Sequence, residues 1–198
     1  GQVRMTAKDA GDVIRHVVNM EGTIQANTVV EQEGRIFLTG GSSGVVNVSG
    51  TITAEGNDTG EKGGTVHVLG EKVGLFANAV VDVFGDAGGG EALIGGDYQG
   101  KNAEIQNAFR TYVGEDAVIS ASAGTSGDGG KVIVWADEVT RFYGSVLATG
   151  GSLSGDGGFV EVSGKGSLNF HAHQIALGSV NGIDGTLLLD PLNITISS

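Results

Sequence analysis

Two turns carry aspartate between glycines, Gly127-Asp128-Gly129-Gly130 and Gly155-Asp156-Gly157-Gly158, 28 residues apart. Carboxylates beside turn carbonyls suit a hard cation, which makes Asp128 and Asp156 the calcium candidates of the chain. The competing reading is that aspartate and glycine simply build the turn. The tandem nonapeptide of calcium β-rolls is absent, so the turn reading is preferred and no cofactor is expected. His171-Ala172-His173 sets two imidazoles at strand spacing, a pattern able to hold a transition metal. Its would-be third ligands, His16 and His67, lie far back in the chain, which favours a solvated strand face.

Tyr98, Tyr112 and Trp135 are the residues best suited to bind a glycan or a protein partner. Alternation along Lys131-Val132-Ile133-Val134-Trp135 sends Trp135 outward with Lys131 and Ile133. Two readings stay open: an aromatic platform for a sugar ring, or an apolar stripe covered by a loop that folds back. Catalysis has little support. Arg4, Arg15, Arg35, Arg110 and Arg141 are dispersed, and most carboxylates sit in turns. No Ser/His/Asp constellation or phosphate loop is present, and the Gly-rich stretches precede strands rather than helices. The expectation is a protein that is not an enzyme.

The elements that position these residues announce themselves by repetition. Glycine, any residue, apolar, any residue, apolar recurs from Gly1, Gly34, Gly64, Gly90, Gly130, Gly158 and Gly185. A second phrase, such as Gly50-Thr51-Ile52-Thr53-Ala54, recurs from Gly22, Gly50, Ala79, Ala117 and Gly144. The first steps by 33, 30, 26, 40, 28 and 27 residues, the second by 28, 29, 38 and 27. Period-two alternation specifies strands, and a nearly fixed repeat of this length specifies a solenoid. The expected fold is all-β: a right-handed parallel β-helix of about five to seven rungs. Both series lengthen at the same place, so one rung carries an inserted loop, residues 95–116, with at most a helical turn near 102–109. Residues 1–198 are expected to be a single β-helix segment cut from a longer protein.

Composition narrows the function classes. The net charge is −12, with 11 Lys and Arg against 23 Asp and Glu. That disfavours nucleic acid and anionic lipid as partners. There is no cysteine, which removes disulfide frameworks and thiol chemistry. No apolar run reaches the length of a membrane span, so no membrane insertion is expected. Glycine is abundant at 37 residues and clusters where tight turns would use positive φ. An ice-binding ladder is broken, because Thr51-Ile52-Thr53 is matched by Thr23-Ile24-Gln25 and Ser145-Val146-Leu147.

Residues 88–100 (GGGEALIGGDYQG), 128–137 (DGGKVIVWAD), 157–164 (GGFVEVSG) and 185–196 (GTLLLDPLNITI) resemble the repeat modules of filamentous haemagglutinin-like exoproteins, the secreted members of two-partner secretion systems. The resemblance is strongest from about residue 63 onward. It implies a β-helix shaft in a large adhesin of a Gram-negative bacterium, exported through an outer-membrane transporter to the cell surface or the medium. It also implies a glycan or protein on a host or neighbouring cell as the eventual target. The family's N-terminal secretion domain is not recognisable in the sequence. Two other functions compete with this one: a carbohydrate-binding module that uses the inserted loop and the neighbouring aromatics, and a polysaccharide-degrading β-helix enzyme.

Overall fold

The computed structural model describes residues 1–6, 17–26 and 34–196. Arg15 and His16 lie outside the described residues. Among the described residues, the chain coils through three parallel sheets of seven, seven and six strands. Each rung visits the first, the second and then the third sheet, and each strand pairs with its equivalent one rung away.

The first sheet is made of the first phrase: Gln2–Thr6, Arg35–Thr39, Thr65–Leu69, Glu91–Ile94, Lys131–Ala136, Phe159–Gly164 and Thr186–Leu188. The register stacks Val3 on Ile36, Val66, Ala92, Val132, Val160 and Leu187 in one inward column. The third sheet is made of the second phrase and stacks Ile24, Ile52, Val81, Ile119, Val146 and Ile175. The pairing offsets are the phrase offsets, because a slip of one residue would turn every aliphatic side chain out of the core. Ile36, Val66, Val132, Val160, Ile52 and Ile119 are fully buried. Each contributes about 1.5–3 kcal/mol of transfer free energy.

The second sheet has no leading phrase in the sequence. Its strands include Val45–Val48, Lys72–Leu75, Arg110–Val113, Val139–Phe142 and Ser167–Phe170. Threonine takes an inward position in two of them, and Thr111 and Thr140 are buried. Their hydroxyls donate to the carbonyls of Trp135 (2.6 Å) and Ser163 (2.7 Å), which satisfies polar groups that apolar packing would leave orphaned. The expected inward hydrophobe is therefore replaced by a hydrogen-bonding bracket between the first and second sheets.

The doubled glycines correct one expectation. Gly127 and Gly155 do have positive φ, but the pairs that open the first-sheet strands do not. Their reason is close approach. A Cβ on Gly89 would meet the Ala121 carbonyl, and one on Gly90 the Gly64 carbonyl. The same collisions recur at Gly129 with Ala148 and at Gly130 with Gly90. The Gly90 N–H donates to the Val83 carbonyl at 2.8 Å, closing the rung from third sheet to first.

Between the first and second sheets, neighbouring rungs spend only residues 70–71 and 137–138. In the rung between them the same passage takes residues 95–109. Its 3-10 segment is short, Tyr98–Gly100; within 102–109 a single turn closes from the Ile105 N–H to the Asn102 carbonyl (3.2 Å), and the Asn102 and Asn107 side chains donate to Asp97 Oδ2 and the Gly100 carbonyl. Among the described residues, no helix is long and apolar enough to cross a membrane.

Candidate functional site

The residues singled out for binding occupy two different faces of the coil. On the first sheet, Leu93, Ile133 and Trp135 point outward and form an apolar cluster separate from the interior column. The 95–109 segment lies over them, and Ile105 and Phe159 pack against the cluster. Trp135 is only 4% exposed. Gly100 rests on its indole, where a Cβ would strike the ring, and adopts φ 61°, which glycine accepts at no steric cost. The indole N–H donates to Asp137 Oδ1 at 3.2 Å, and Asn107 Nδ2 reaches the same oxygen at 3.2 Å. Tyr98 is 44% exposed, with its ring edge against Phe159 at 5.8 Å.

A polar frame holds this segment down. Lys131 Nζ bridges Asp97 Oδ1 (2.7 Å) and Glu91 Oε2 (3.2 Å), and Glu91 Oε1 meets His67 Nε2 at 3.2 Å. The His67 contact, helped by Lys131, holds the Glu91 carboxyl below its ordinary range against the cost of burial. At Asp97 burial works against the charged form. Hydrogen bonds from Asn102, Lys131 and the Tyr98 N–H outweigh it and leave that pKa low. Asp97 also caps the helical turn, accepting the Tyr98 N–H at 2.7 Å.

Glu161 is the residue that sequence reasoning missed. It sits on the outward face of Phe159–Gly164, fully buried beneath the segment, and its Oε2 accepts the Gln99 N–H at 3.0 Å. Among the described residues, its Oε1 has no hydrogen-bond partner. Burial pushes its pKa up, and the nearby Asp190 and Asp97 carboxylates push the same way. A glutamate in an alternating strand looks solvent-facing in sequence, and only the folded-back segment removes the solvent.

Tyr112 belongs to the other face. It lies on the second sheet, stacked on Phe76 (centroids 5.2 Å, 24°) and tilted against Tyr143 at 5.8 Å. Tyr98, Tyr112 and Trp135 therefore do not share one surface.

The turn aspartates form a ladder along a third edge. Asp128 Oδ1 accepts the Asp156 N–H at 2.8 Å, and Asp156 Oδ1 accepts the Ile183 N–H at 2.8 Å. Each carboxylate caps a backbone donor in the next rung, a turn-building task. His171 and His173 fall at the corner after Ser167–Phe170 rather than on a strand, and the His173 N–H donates to the Tyr143 and Gly144 carbonyls. Among the described residues, no group of three or more His, Asp or Glu side chains is placed to hold a metal ion.

No family model matches the sequence, and no curated protein does. Among solved structures, the chain is similar to the HMW1 secretion domain from Haemophilus influenzae, with a TM-score of 0.70 and 28% identity. The match covers 100% of this chain and 46% of that one, so the chain spans less than half the length of its neighbour. Fold and sequence together bear out the resemblance to the repeat modules of two-partner secretion exoproteins. No secretion domain was recognisable in the sequence, whereas the structural likeness is to a chain of that description.

Proposed function

We propose, with the likeness to a two-partner secretion exoprotein as premise, that this chain is a stiff β-solenoid segment of a larger exported protein and holds adhesive regions away from the cell. The observation that carries the proposal is the continuous parallel register of all three sheets, combined with 28% identity to a secretion domain over the whole chain. On this reading residues 1–198 are one segment of the shaft, and the loop within 95–116 offers contact surface to partners. The export partner is an outer-membrane transporter, the location is the bacterial surface or the medium, and the distal target is a glycan or protein on another cell.

The physics of the coil suits that route. Every strand pairs with a neighbour one rung away, so a chain emerging from a pore completes one rung at a time on the last one formed. Each completed rung buries its aliphatic column and disfavours backward movement. The absence of cysteine means that no disulfide closes a loop before passage.

The test is external proteolysis of intact cells that make the full-length protein, with and without its transporter. Cleavage within this segment is expected only when the transporter is present. Protection of the segment on intact, transporter-bearing cells, with cleavage after lysis, would overturn the proposal.

A further inference from the structure

The outer face of the second sheet contains a groove of about 570 Å³ that the shaft role leaves unused. Its outward column runs Asn47, Gly74, Tyr112, Arg141 in register across four rungs. Gly74 leaves a gap in that column, and the Phe76 ring lies across it: a Cβ at Gly74 would strike the ring. Phe76 and Tyr112 thus present a stacked aromatic pair at the surface, and Phe76 is 41% exposed. An interior role does not account for these rings, since the core column runs on the opposite side of the same strands through Val73, Thr111 and Thr140.

The charge of the groove opposes that of the chain. The protein carries −12 overall, yet Lys72, Arg110 and Arg141 line the groove against one carboxylate, Glu138. Arg110 Nε is committed to Glu138 Oε2 at 2.6 Å. Among the described residues, no carboxylate is in salt-bridge contact with Lys72 or Arg141. Asn47 gives one amide hydrogen to Asn19 Oδ1 at 3.0 Å and adds a further polar group to the lining.

We infer that this groove binds an acidic oligosaccharide. An exposed aromatic ring beside Lys72 and Arg141, which no carboxylate among the described residues engages, matches a pyranose ring that bears an anionic group. The sugar's C–H face packs on the exposed Phe76 ring, which Tyr112 backs from behind, the anion meets the Arg141 guanidinium or Lys72, and a hydroxyl reaches Asn47. The volume falls in the range of small-ligand sites. An acidic peptide would satisfy the cations but leave the aromatic face unused, and strand addition is impossible on the face of a sheet, which offers no free backbone edge. Single-stranded nucleic acid needs a continuous basic track, which Lys72 and Arg141 do not supply.

The experiment is a calorimetric and NMR titration of the purified chain with four probes: an oligogalacturonate, its methyl ester, a sulfated galacto-oligosaccharide and hexaglutamate. An acidic sugar is expected to bind, and the uncharged ester more weakly by about tenfold or more, the scale of one charge-assisted hydrogen bond. Arg141→Ala is expected to weaken the acidic sugar by about tenfold and leave the ester unchanged. Phe76→Ala is expected to weaken both. Both residues are exposed, so unchanged melting curves will separate lost binding from lost structure. The inference is overturned if neither acidic sugar binds, if hexaglutamate binds as well as the sugars, or if both folded variants keep full affinity. Because the titration needs no transporter, its failure would leave the proposed export role standing.

Discussion

Glu161 shows how a residue's meaning changes with its cover. Its carboxyl is buried, one oxygen has no partner among the described residues, and its pKa is raised chiefly by burial. A folded-state pKa above the unfolded value gives a contribution present at acid pH and lost as the pH rises through the folded pKa. Glu161→Gln keeps an acceptor for the Gln99 N–H and removes the charge. The variant is expected to melt higher than the parent at about pH 8, and the gap should close towards about pH 4. Thermal melts across that interval check it, and a variant that melts lower at alkaline pH would show the carboxylate to be a net stabiliser. Glu91 has the opposite sign. Its pKa is held low by His67 and Lys131, so its contribution is present above the unfolded value and fades as the pH falls.

At the scale of the element, the 95–109 segment is a cover rather than a free loop. Its apolar contacts converge on Trp135, and its polar ties run to Lys131, Glu161 and Asp137. Removing the indole deletes the surface on which Gly100 rests. Trp135→Ala is expected to cost about 3–5 kcal/mol at the cover. The rungs, whose interior column does not include Trp135, should persist. Limited proteolysis should then cut within 95–109 while the flanking strands stay protected. Simultaneous loss of the whole coil would show the cover to be integral to the core.

For the molecule as a whole, stability is close to a sum over rungs and the interfaces between them. Val160 lies in the inward column between Val132 and Leu187 and is fully buried. Val160→Asp places an unpaired carboxylate there and is expected to cost more than about 4 kcal/mol. The loss should spread to the adjoining rungs and leave distant ones folded. Hydrogen exchange resolved by rung measures this, and parent-like protection at Val132 and Leu187 would contradict the inward placement.

Sequence alone determined the coil and the register of two of its sheets. Period-two alternation fixes which side chains face inward, and a slip would expose the whole set, so the spacing of the phrases already contains the pairing of Ile36 with Val66 and of Ile52 with Val81. The second sheet was hidden because Thr111 and Thr140 replace inward hydrophobes, and their partners, the carbonyls of Trp135 and Ser163, are visible only in space. The strand Gln174–Ala176 is not legible as a further copy because His173 stands where the other copies open with glycine or alanine. The reason for the doubled glycines was likewise spatial: carbonyls from the neighbouring strand ends and rungs occupy the place of a side chain. Only the tertiary structure decided that Trp135 is covered, that Glu161 is dry, and that Phe76, Tyr112 and Arg141 meet around Gly74. Those outcomes depend on contacts between residues one or more rungs apart and on the path of an irregular segment. No local periodicity encodes either.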